Sequence, residues 1–173
     1  VFCVGEGISK LHARNIVHGK IDSHCIMKFS ERWKITGLCG SVVRGGCFSP
    51  TRVGPHSPPE AFIVSSATSS AAMNPTFIAE PSVDVWAFGK LVYETFVGES
   101  MFAPLIESDD EQLQVRCIAG WNGEHAKILM NRLTESGIGE KGTDLVCNCL
   151  QLKRDRPHSM GIILRHQFWK EKY

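Results

Sequence analysis

The stretch PSVDVWAFGKLVYETFVGES (81–100) constrains the fold more than any other. Its apolar residues fall at 83, 85, 86, 87, 88, 91, 92, 93, 96 and 97, nearly all the way round a helix. A helix without a broad polar face has to lie at the centre of a domain, covered on most sides. Ser82 reads as its N-cap, and Gly98 marks its C-terminal end. A chain of 173 residues amounts to one domain and is long enough to bury such a helix.

Around that centre the periodicity predicts further helices at about 109–119, 124–135, 141–151 and 158–166. The strand candidates are CIMKF (25–29) and RWKIT (32–36), joined by the turn-like Ser30–Glu31. The expected fold is therefore mainly α, with one small β-hairpin. GGCFSPTRVGPHSPP (45–59) is rich in Gly, Pro, Ser and Thr and reads as a loop with little regular structure. SSATSSAAMNP (65–75) is the single low-complexity segment, expected to be a flexible surface insertion. PPEAFIV, between the two, is expected to form a short helix opening at a proline.

The net charge of +1 supplies no general electrostatic reason to bind nucleic acid or an anionic membrane. No apolar run approaches the roughly 20 residues of a membrane span. The seven cysteines are scattered without a C-x-x-C pair, so they read as reduced thiols of an intracellular, cytoplasmic protein. The chain opens at Val1 without signal-peptide features and is expected to be a piece of a longer protein.

Taken in order, several segments resemble the large C-terminal lobe of a protein kinase. LHARNIVHGKIDSHCIM (11–27) resembles the end of the long lobe helix followed by the H-R-D-L-K-x-x-N catalytic loop. WKITGLCG (33–40) stands where kinases lead into D-F-G, and SPPEAF (57–62) resembles the A-P-E motif that closes the activation segment. DVWAFGKLVYETFVGESMF (84–102) resembles the central helix, with Asp84, Trp86 and Gly89 at D-x-W-x-x-G. LQLKRDRPHSMGIILRHQFW (150–169) resembles the closing R-P segment. The resemblance implies a kinase-like domain over 1–173 that comprises the C-lobe only, with 45–59 as its activation-segment-like loop. The small nucleotide-gripping lobe would lie upstream. Its absence here implies exposed apolar surface where that lobe docks.

Kinase chemistry needs an aspartate to orient and deprotonate the acceptor hydroxyl, and an asparagine and an aspartate to hold magnesium. Matched onto this chain, His18 keeps its place, Gly19 replaces the arginine, Lys20 the aspartate, Asp22 the usual lysine and Cys25 the asparagine. Gly37, Leu38 and Cys39 replace D-F-G. A lysine ammonium only donates, glycine offers a metal nothing, and a thiol suits hard Mg²⁺ poorly. Asp22 as a substitute base, and a metal site built from His12, His18, His24 and Cys25, are both disfavoured against local hydrogen bonding. The resemblance implies that, with Gly19, activation through an activation-loop phosphate held by that arginine is lost, although Ser49 and Thr51 beside Arg44 and Arg52 stay open to modification.

The fold-bearing positions remain. Glu60 and Arg156 match the family's buried ion pair, Asp84 the residue that holds the catalytic-loop backbone, and His18 and Leu38 two members of its hydrophobic spine. The expectation is a pseudokinase lobe with no intact catalytic residue, no metal site and no cofactor, acting in signalling by binding a protein partner. The alternative is a divergent serine/threonine-type kinase whose upstream lobe brings ATP and Mg²⁺; a decayed gene product is the third reading. The face between the central helix and LIESDDEQLQVRCIAGWNGEH (105–125) is a candidate docking surface, with Trp121 read either as an interface aromatic or as core.

Overall fold

The computed structural model describes residues 1–64, 71–74 and 76–170. Its centre is helix α2 (Pro81–Val97), whose residues 81–89 are all buried. Trp86 and Phe88 have no exposed surface. Burying a side chain such as Phe88 stabilises the fold by about 1.5–3 kcal/mol. The helix ends at Gly98, whose φ of 80° is the left-handed conformation in which glycine terminates helices at least cost. It does not begin as expected. Pro81 is its first residue and Glu80 the N-cap, so Ser82 lies buried inside the first turn. Proline fits that position because its missing N–H would have had no partner there.

Helix α1 (Phe2–His12) packs beside α2 and leads into the loop that carries His18. After α2 come α3 (Glu111–Ala119), α4 (Gly123–Glu135) and α5 (Glu140–Cys149). The Asp110 carboxylate caps α3 by accepting from Gln112 N–H at 2.7 Å, and Asn122 and His125 form a capping box on α4. The helix expected at 158–166 is two short ones, α6 (Met160–Ile163) and α7 (Gln167–Lys170). Helices α1, α4, α5 and α6 all contact α2. The main core joins Val4, Phe88, Val92, Leu145 and Met160 across them.

Three two-stranded antiparallel pairs occur among the described residues, rather than one hairpin. The expected one is present: β2 (Ile26–Phe29) pairs with β3 (Arg32–Ile35), Ile26 opposite Ile35. Strand β1 (Ile16–Val17) pairs with β4 (Val42–Val43). Strand β5 (Phe62–Val64) pairs with β6 (Ala71–Met73), so PPEAFIV is not a helix. Its Pro59–Ala61 forms a single 3-10 turn, after which the aromatic and β-branched run extends as strands prefer. Ala71–Met73 belongs to the segment expected to be a flexible insertion, and pairing with β5 gives it regular structure. The rest of that insertion, 65–70 and 75, lies outside the described residues. A second, smaller core of Val17, Phe48, Ala61, Phe77, Ala79 and Val83 sits under the 45–59 loop. On the hairpin and the turn after it, Met27, Phe29, Trp33 and Leu38 are 45–49% exposed.

Candidate functional site

The turn 18–25 is shaped by one buried carboxylate. Asp84, on the first turn of α2, accepts from the backbone N–H of His18 at 2.8 Å and of Gly19 at 2.8 Å. Its third bond is with His12 Nε2, at 2.9 Å. Asp84 thus fastens the end of α1, the start of the turn and the central helix together. The sequence reading missed His12 in this role. The signal available was its place on the last turn of a helix that precedes a loop needing an anchor.

His18 is fully buried. Its Nε2 is 2.8 Å from Thr36 O, which can only accept, so Nε2 carries the proton. Its Nδ1 is then free to accept from Lys20 N–H at 3.3 Å, and one tautomer satisfies both bonds. Asp22 is equally committed. One of its carboxylate oxygens accepts from His24 N–H at 2.9 Å and Cys25 N–H at 3.2 Å, capping the 3-10 turn Ser23–Cys25.

Lys20 lines an open polar hollow of about 470 Å³ between this turn and α2, with Asp22, His56, Lys90, Glu94 and Glu111 also in its wall. Cys25 points its thiol back to Lys20 O at 3.1 Å. Burial, reinforced by the neighbouring Asp22, pushes that thiol above its ordinary value, so it stays protonated. A Cβ placed on Gly37 would stand 3.2 Å from the Cys25 sulfur. Gly37 and Cys25 therefore face each other, and neither side chain brings an oxygen. His12, His18, His24 and Cys25 do not converge: each is engaged elsewhere, and His24 lies exposed. Among the described residues no group of three potential metal ligands gathers anywhere.

The architectural positions do come together. Arg156 Nη1 and Nη2 donate to the two Glu60 carboxylate oxygens at 2.8 and 3.0 Å, a bidentate pair. Arg156 also donates to Gln151 O at 2.9 Å and Ser82 O at 3.2 Å, and its guanidinium lies 5.0 Å from the Trp86 ring centroid. Trp86 meets Trp121 edge-on at 5.1 Å. Trp121 is only 6% exposed and donates Nε1–H to Leu150 O, which resolves its two readings in favour of core. Gly89 lies where α2 and α5 cross: a Cβ there would run into that of Cys149. Leu38, matched to the spine, stands 48% exposed on the open face. Ser49 and Thr51 are exposed and bonded hydroxyl to hydroxyl at 3.0 Å.

No protein-family model matches the chain, and no curated protein matches it. The solved structure of the twitchin kinase region from C. elegans is similar to it with a TM-score of 0.63, at 19% identity over 95% of this chain. The chain has the fold of a kinase-like C-terminal lobe. At that identity the likeness concerns the fold alone, and this lobe spans 26% of the twitchin chain.

Proposed function

We propose that this kinase-like lobe is catalytically inactive and works as a regulatory, protein-binding module. The observation that carries this is the turn fixed by Asp84, in which Asp22 caps the 3-10 turn and Lys20 is the residue that the resemblance matches to the catalytic base. At the end of that turn Cys25 faces Gly37, so the two residues that the resemblance matches to magnesium ligands bring a protonated thiol and no side chain in place of oxygens. Loss of a general base alone costs about 10²–10⁴ in rate. Losing both metal ligands as well removes the positioning and charge neutralisation on which phosphoryl transfer depends.

The face between α2 and residues 105–125 is the proposed docking surface, because the polar hollow opens there between Lys90 and Glu94 of α2 and Asp109, Glu111 and Gln114. The partner is a protein, and neither ATP, a metal, nucleic acid nor a membrane is needed. Among the described residues no helix is long and apolar enough to cross a membrane. The test is a phosphotransfer assay on the longest natural chain containing this lobe, with labelled ATP, Mg²⁺ or Mn²⁺, and general acceptor proteins. No incorporation above the heat-denatured control is expected. Metal-dependent incorporation would restore the divergent serine/threonine-type kinase.

A further inference from the structure

The 45–57 stretch has little regular structure, yet it is pinned along its length. Phe48 is 4% exposed, and its ring centroid lies 5.2 Å from that of Phe77. The same ring covers Gly19 so closely that a Cβ built on Gly19 would collide with its edge. Gly19 also has a φ of +75°, a conformation that side-chain-bearing residues rarely adopt. Position 19 thus excludes a side chain twice over, by backbone conformation and by the ring resting on it.

The backbone around Phe48 is tied down as well. Phe48 N–H donates to Phe77 O at 3.2 Å, Gly45 N–H to Ala79 O at 2.9 Å, and Ala79 N–H to Gly46 O at 2.7 Å. Further along, Arg52 Nη2 donates to His18 O at 2.8 Å, and His56 Nε2 donates to Arg52 O at 2.7 Å. None of these bonds uses the hydroxyl of Ser49 or Thr51, which are bonded to each other.

We infer that Phe48 is an apolar latch: seated on Gly19 and against Phe77, it holds 45–57 in place without phosphorylation of Ser49 or Thr51. The side chain missing at position 19 is what makes room for it. The latch replaces a charge contact with burial, and burial has two consequences that a phosphate–arginine contact lacks. It operates in the unmodified chain, and salt does not screen it. This inference stands apart from the proposed inactivity, because it concerns where the segment sits and not what the turn catalyses.

Amide hydrogen exchange on phosphatase-treated full natural chain tests it. The amides of Phe48, Arg52, Val53 and Ser57, each bonded to a backbone carbonyl or within the pinned stretch, are expected to be protected at low and high salt alike. Replacing both hydroxyl residues, Ser49→Glu with Thr51→Glu, should leave that protection unchanged. Phe48→Ala should speed their exchange by about a hundredfold while Val92 and Leu145 in the main core keep theirs. Phe48→Leu, which keeps apolar contact and folds more safely, should speed it by a smaller factor. Free exchange across 45–57 in the unmodified protein would overturn the latch, even if Phe48→Ala fails to fold. So would protection that appears only with the glutamates, or a Phe48→Ala or Phe48→Leu segment as protected as the original.

Discussion

Glu60→Leu removes the carboxylate that receives two charge-assisted bonds from Arg156. The Arg156 side chain is 0% exposed and Glu60 19%, so the guanidinium left behind cannot turn to water. It would keep its bonds to Gln151 O and Ser82 O but hold a buried, unpaired charge. Breaking a pair in that situation costs about 3–5 kcal/mol, against about 0–1 kcal/mol for an exposed pair. For a domain of this size that corresponds to a drop in Tm of about 6–20 °C. The assay is urea denaturation at equilibrium, in which the midpoint should fall with the slope unchanged. The double variant Glu60→Leu with Arg156→Met supplies the sharper check, because removing the second charge removes the penalty. It should be no less stable than Glu60→Leu alone. A single loss below about 1 kcal/mol, or a double variant in which two losses simply add, would refute the reasoning.

Asp84→Ala leaves three donors without an acceptor, His18 N–H, Gly19 N–H and His12 Nε2, and should cost about 3 kcal/mol or more in the same urea assay. Gly89→Ala gains helix propensity but drives a Cβ into Cys149, so the expected net effect is a loss of about 1–3 kcal/mol; a stabilised variant would contradict the close crossing of α2 and α5. Burial pushes His56 below its ordinary value, so the unfolded chain binds its proton more readily than the folded one. Stability carried by His56 is therefore complete above about pH 6.5 and falls away as the pH drops from there toward the lowered folded value. Comparing Tm at neutral and mildly acidic pH should show a shallower fall in His56→Asn than in the original chain.

The central helix was legible in the sequence because its apolar positions crowd every side, and only burial at a centre accommodates that pattern. The β2–β3 hairpin was legible from two short runs around a two-residue turn. Other pieces carry no periodic signal. Strands β1 and β4 are two residues each, too short to show alternation, and exist because Ile16 and Val17 meet Val43 and Val42. Ala71–Met73 is a strand because Phe62–Val64 lies beside it, a fact that low-complexity composition hides. At the candidate site, the Glu60–Arg156 pair was legible from the residue types and the motifs around them, and the structure brings the two together. The His12–Asp84 bond spans 72 residues, and the Phe48 ring on Gly19 joins two loops. Neither contact has a local pattern, so only the packed fold brings them to view.

Nucleotide binding tests the proposed inactivity most directly. A thermal-shift titration with ATP, with and without Mg²⁺ or Mn²⁺, on the longest natural chain containing this lobe reads it, because a ligand stabilises the state it binds. If Cys25 and Gly37 stand where the proposed reading puts the metal ligands, no metal-dependent rise in Tm is expected even when ATP is in large excess. A rise that requires the metal would mean that these positions still assemble a metal–nucleotide site, and would contradict a lobe that is catalytic in shape alone.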